Sequence, residues 1–311
     1  YFTADNDVIL ELTVVRDSLL RFRYTTVGNF DNDFSYAITK YASIGYNKLE
    51  IEEKKDCYEV TTSKLRCEIS KENMRVSIYD AIDGMLINQD EGGFHWEESY
   101  EYGGNIVKMS KVSNDGESYY GLGDKPNHLN LKGKRYSNWV TDSYAYGKDT
   151  DPIYKTIPFY TGLHHGKAYG IFFDNTFKSS FDFAHERRNV TSFWAQGGEM
   201  NYYFFYGPKM NDVVESYTDL TGKPHHLPPL WALGFHQCKW SYYPESKVKE
   251  ITSTFRKLKI PCDAIYLDID YMEGFRCFTW NKEYFPDPKR MVKELLDDGF
   301  KTVAIIDPGI K

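Results

Sequence analysis

The chain has 311 residues, with 45 acidic against 38 basic side chains and a formal net charge of −7. That balance excludes a nucleic-acid or anionic-membrane surface, which needs a concentrated positive field. The length carries two domains with a core large enough to need no disulfide or metal staple, and the partner it favours is a neutral or polar small molecule.

Aromatic residues make up 17% of the chain, a composition that sheets and sugar-binding surfaces share. Cys57, Cys67, Cys238, Cys262 and Cys277 form no CxxC pair and no Cys/His ligand spacing, which argues against zinc and against a disulfide framework. They read as free thiols, which favours a reducing, cytoplasmic compartment over a secreted one. The sequon Asn189-Val190-Thr191 is too common to imply secretion. No apolar run approaches the ~18 residues that span a bilayer, and no signal peptide is visible. The first residue is Tyr1 rather than Met, so a preceding segment is expected to have been removed.

Residues 8–80 alternate apolar and polar positions: Leu10, Leu12 and Val14; Leu20, Phe22 and Tyr24 around Arg21 and Arg23; Leu65, Cys67 and Ile69; Val76 and Ile78. Period two predicts half-buried antiparallel strands, with Asp83-Gly84 and Asn114-Asp115-Gly116 supplying turns. YYGLGD at 119–124 lacks the third glycine of a dinucleotide fingerprint. A long polar and aromatic stretch, residues 136–154, holds Trp139, Asp142, Tyr144 and Tyr146. Loops of such length inside compact domains tend to be functional, so Asp142 is either a ligand contact or a solvated loop acid. Strand patterns return at 168–175, 177–183, 190–194 and 200–206, completing one large β domain.

After Pro208 the pattern changes. Residues 212–220 predict a short helix, and Thr221-Gly222-Lys223-Pro224 with Pro228-Pro229 marks a linker. The domains are expected at 1–224 and 225–311. In 244–258, Val248, Ile251, Phe255 and Leu258 share a helical face, with Pro244 suited to the first turn. Asp287-Pro288 reads as N-cap and N1 of a second helix with Met291, Val292, Leu295 and Leu296 as its buried stripe, stopped by Gly299. Apolar runs at 264–269 and 302–306 complete a β, α, β, α, β order, which predicts a parallel sheet buried on both faces.

Three strand ends then converge: residues 237–240, with Gln237, Cys238, Lys239 and Trp240; Asp268 and Asp270; and Asp307. Barrels and open parallel sheets keep their sites at such ends. A carboxylate there suits sugar hydroxyls and Trp240 suits a pocket wall. The bland alternative has one aspartate capping a loop and the other pairing with Lys239 or Arg276. Asp-x-Asp also occurs as a metal clamp in glycosyltransferases, although no phosphate cradle accompanies it here.

The ordered blocks YYGLGD, DPIYKTIPFY, AYGIFFDN, YYFFYGP, LTGKPHHLPPLWALGFHQCKWSY, LDIDYM, FTWN, FPDP and IIDPGI resemble glycoside hydrolase family 31, the α-glucosidase and α-xylosidase family, over residues 119–311. The resemblance implies a multi-domain fold, an N-terminal antiparallel β-sandwich followed by the first three strands and two helices of a (β/α)8 TIM barrel. It implies part of a retaining α-glycosidase acting on terminal α-linked glucosides or related sugars of an oligosaccharide, with no cofactor and no metal. By the same resemblance Asp268 binds sugar hydroxyls, Ile269, Ile305 and Trp240 line that pocket, and Asp142 contacts the next subsite.

The family's nucleophile and acid/base aspartates lie on the fourth and sixth barrel strands. Retention needs two carboxyl groups ~5 Å apart, so no catalytic residue is assigned and this chain alone is expected to be inactive. The remaining barrel strands are its expected partner, in the same or a companion chain, because an open barrel fragment leaves an unpaired edge; a homo-oligomer stays open. An inactive carbohydrate-binding protein and a metal-dependent glycosyltransferase are the competing classes.

Overall fold

The computed structural model describes residues 1–39, 48–99, 101 and 104–308. The ends of the IIDPGI block, Gly309 and Ile310, and Lys311 lie outside the described residues. Contacts divide the chain into two units, Tyr1–Lys223 and Pro224–Lys311.

The first unit is built on a seven-stranded sheet and two five-stranded sheets. In the larger sheet the strands run, edge to edge, Phe2–Thr3, Ile9–Arg16, Leu19–Thr25, Met200–Tyr206, Lys167–Phe173, Thr156–His164 and Ser118–Gly123. All of its pairings are antiparallel. Its inner face packs against both smaller sheets: Phe22, Tyr24, Tyr202 and Phe204 join Phe181, Phe183 and Phe193 of one, and Cys67, Ile69 and Ile78 of the other, in one core. This is a β-sandwich, extended by a third sheet.

The opposite face of the large sheet is buried as well. The helix Met210–Thr221 lays Val213 and Leu220 onto Val15, Leu19, Ala168, Phe172, Tyr203 and Phe205, which is why every residue of Met200–Tyr206 is buried. Burial on both faces also changes the role of Arg21 and Arg23, which are 7% and 4% exposed. Arg23 donates through Nε to Glu199 at 2.7 Å, and Arg21 through Nη2 to Asp33 at 2.8 Å. Long cations leave water at tolerable cost only when so paired.

The second unit has three parallel strands, His236–Gln237, Ala264–Leu267 and Lys301–Ala304, in that spatial order. Helices Glu245–Lys257 and Pro288–Asp297 make the crossovers. The second helix starts as its sequence dictates: Asp287 accepts a hydrogen bond from the Arg290 N–H at 3.0 Å with proline in the first turn, and Gly299 follows the end at φ 81°. Val248, Met291, Leu295 and Phe300 meet Ile265 and Leu267 in the core.

Two expected stripe residues do not join that core: Leu258 is 60% and Leu296 49% exposed. Leu258 follows the last helical turn, and Leu296 sits beside rather than on the Met291–Leu295 line. The third strand is exposed at Lys301 and half-buried beyond, so of the three only the middle one has the burial expected of all. Among the described residues no helix is long and apolar enough to cross a membrane.

Candidate functional site at the strand ends

The middle barrel strand ends at Leu267, two residues before the apolar run does. Asp268 leaves the strand in extended conformation and accepts a hydrogen bond from the Ile269 N–H on Oδ1 at 2.7 Å, capping a one-turn 3-10 helix, Ile269–Tyr271. Ile269 therefore lies in a turn packed on the barrel core rather than in the strand. Asp268 is a cap, as one reading expected, yet that bond uses only one lone pair of one oxygen, and the carboxylate has no ion-pair partner among the described residues. Arg276, one of the two partners expected for the other aspartate, pairs instead with Glu273 at 3.2 Å.

The neighbouring strands set what surrounds Asp268. Leu267 is opposite Ala304 in the parallel register, so Asp268 and Ile305 are the next residues on adjacent strands; the Ile305 N–H donates to the Leu267 carbonyl at 3.0 Å. Ile305 is 36% exposed. On the other side, where the first strand ends at Gln237, burial and the negative charge of Asp268 raise the pKa of the Cys238 thiol. Gln237 is held by its Nε2 donating to the Tyr242 hydroxyl at 2.8 Å. Trp240, in the loop after the first strand, is 75% exposed.

The structure thus brings Asp268, Ile269 and Ile305 to one rim and puts Trp240 on the adjoining loop. Asp142 belongs to the first unit, where it is exposed. Sequence reasoning missed Tyr271, which is buried and whose hydroxyl reaches the end of the third strand. The signal for Tyr271 was its parity with Leu267 and Ile269 within LDIDYM. Among the described residues no group of three or more His, Cys, Asp or Glu side chains is placed to hold a metal ion.

Antiparallel sandwich sheets followed by parallel strand–helix units define a β-sandwich joined to the start of a (β/α)8 barrel. Residues 9–182 match the glycosyl hydrolase 31 N-terminal galactose mutarotase-like domain, and residues 225–311 match the family 31 TIM-barrel domain. The chain belongs to glycoside hydrolase family 31.

Among its relatives, an alpha-glucosidase 2 of Bacillus thermoamyloliquefaciens is 37% identical over 97% of this chain and 38% of its own length. An alpha-glucosidase of Saccharolobus solfataricus is 38% identical over 67% of this chain and 30% of its own. A Flavobacterium johnsoniae family 31 dextranase, solved with isomaltotriose, superposes with a TM-score of 0.83 at 36% identity, over 96% of this chain and 36% of the dextranase. The chain therefore spans well under half the length of the proteins it matches.

Proposed function

We propose that the chain supplies the sugar-holding wall of a retaining α-glycosidase that removes α-linked glucosyl or related residues from oligosaccharides. The observation that carries the reading is Asp268: a carboxylate at the end of the middle parallel strand, without an ion-pair partner among the described residues, beside Ile305 and Ile269. Its free lone pairs accept hydroxyl protons of the sugar at the cleavage subsite. Ile269, Ile305 and Trp240 form the apolar wall against the ring.

In this reading binding energy from the chain positions the glycosidic bond for two carboxyl groups ~5 Å apart, one attacking the anomeric carbon and one protonating the leaving oxygen. Those two groups belong to other barrel strands, in the same or a companion chain. The similarity to two alpha-glucosidases and a dextranase supports an α-linked substrate.

The test is turnover of 4-nitrophenyl α-D-glucopyranoside by the full-length protein carrying this chain, with and without EDTA. Turnover indifferent to EDTA is expected. No turnover of any α-glycoside would point to an inactive binding protein, and activity abolished by EDTA to a metal-dependent transferase.

A further inference from the structure

The middle barrel strand turns different side chains to its two faces. Ile265 and Leu267 pack with Val248, Met291 and Leu295 of the crossover helices, so that face looks out to the helix layer. Side chains alternate along an extended chain. Ala264 and Tyr266 therefore take the opposite face, and Asp268, still extended at φ −83° and ψ 178°, follows them there. In a (β/α)8 barrel that face is the interior, filled by side chains in layers. Tyr266 thus lies one layer beneath Asp268, about 7 Å back along the strand.

The neighbouring strands frame the same layer. Val303 is opposite Tyr266 in the parallel register, and Ile305, two residues on, is level with Asp268 at the rim. From the first strand, His236 reaches Tyr266: its Nδ1 is 3.1 Å from the tyrosine hydroxyl and its Nε2 is 3.0 Å from the Trp231 carbonyl. A carbonyl only accepts, so Nε2 carries the proton, and in the neutral ring Nδ1 accepts from the Tyr266 hydroxyl.

His236 is opposite Ala264, two residues before Tyr266, so the hydroxyl is engaged from the layer below. The surface that Tyr266 offers to the layer above is ring carbon. Ala264, Ile265 and Leu267 are buried, whereas Tyr266 is half-buried, which leaves part of that ring open.

A terminal sugar enters such a mouth with its far end first, because the bond to be cut and the rest of the oligosaccharide stay toward solvent. With its hydroxyls on Asp268 at the rim, the edge remote from the anomeric carbon goes deepest. That edge carries the C5 substituent, whose methylene suits an aromatic ring.

We propose that Tyr266 is the floor of the sugar pocket and determines specificity at C5: its ring packs against the hydroxymethyl carbon of a hexopyranose and gives no such support to a pentopyranose. His236 is its positioning residue. This rests on the reading of Asp268 as the carboxylate that holds the sugar. The competing role for Tyr266 is barrel filling alone, which is blind to the sugar.

The experiment is calorimetric titration of the full-length protein carrying this chain with methyl α-D-glucopyranoside and methyl α-D-xylopyranoside, which differ only in the hydroxymethyl group. Tyr266→Leu is expected to weaken the glucoside about fivefold or more, the worth of one buried carbon with a ring contact, and to leave the xyloside unchanged. His236→Leu moves the ratio the same way, and His236→Gln, whose amide oxygen accepts from the tyrosine hydroxyl, moves it less. Both dissociation constants are read on one preparation, so a lowered folded fraction leaves their ratio intact. An unchanged ratio in Tyr266→Leu, with both sugars weakened equally or neither, would overturn the floor. Failure of the proposed function reads differently: no α-glycoside is turned over, while both sugars still bind and Tyr266→Leu still moves their ratio. A wild type that binds neither sugar overturns both.

Discussion

The Tyr271 hydroxyl donates a 2.8 Å hydrogen bond to the backbone carbonyl of Ile305, joining the turn after the second barrel strand to the end of the third. Tyr271 is buried, its ring centroid 4.9 Å from that of Trp280, and burial, with the nearby Cys277 thiol adding to it, raises its pKa. The bond fixes Asp268 and Ile269 relative to Ile305. Tyr271→Phe keeps the packing and leaves the carbonyl short of a donor, at about 1–3 kcal/mol. A denaturant series on the full-length protein checks this, with KM for an aryl α-glucoside rising as the wall loosens.

Trp240 contributes little to the fold at 75% exposure. Trp240→Ala is expected to change stability by no more than about 0.5 kcal/mol and to raise KM severalfold. A large drop in melting temperature with unchanged KM would assign the indole to packing instead.

In the sandwich core, Lys111 and Asp90 are 1% and 0% exposed at the side chain and pair at 2.5 Å, with Lys111 also donating to the Tyr202 hydroxyl at 3.0 Å. Lys111→Met strands a buried carboxylate and should cost about 3–5 kcal/mol. The double variant Asp90→Asn with Lys111→Met recovers part of that loss, because the neutral amide put in place of the carboxylate still accepts from the Val76 N–H that Asp90 now engages at 2.8 Å. A double-mutant cycle by chemical denaturation measures both.

Asp80 gives the sandwich an acid-sensitive link. Burial opposes its charge, but hydrogen bonds from Lys167, Tyr206 and the Ile82 N–H prevail and bring its pKa down to about 2. A depressed folded-state pKa means that the stabilisation is present above the unfolded value of about 4 and lost as pH falls toward about 2. Asp80→Asn should be less stable than wild type at pH 7, and the difference should shrink across that window. A gap between the two proteins that stays constant from pH 5 to pH 2 would contradict the assignment.

Much of this architecture was legible in the sequence. Period-two runs such as Leu65, Cys67 and Ile69 became strands with those side chains inward, and Asp287-Pro288 fixed a helix start because cap chemistry is local. Long-range partners were not legible: nothing near Arg21 or Arg23 in the chain announces Asp33 or Glu199, so two buried cations read as solvated positions. Likewise, the helix Met210–Thr221 covering the outer face of the large sheet turned alternating strands into fully buried ones. At the strand ends, parity alone left Asp268 and Asp270 equivalent. The turn of Ile269–Tyr271 separates them, since Asp268 caps it and Asp270 lies within it.

The central claim is that Asp268 holds the sugar, and Asp268→Asn tests it cleanly. Asparagine caps as well as aspartate, so the bond from the Ile269 N–H is kept and only the charge toward the ligand is lost. The measurement is kcat/KM for 4-nitrophenyl α-D-glucopyranoside on the full-length protein, alongside its melting temperature. The account predicts a fall of roughly ten- to a hundredfold, the worth of a charge-assisted hydrogen bond, at an unchanged melting temperature. An Asp268→Asn enzyme with wild-type kcat/KM would contradict it.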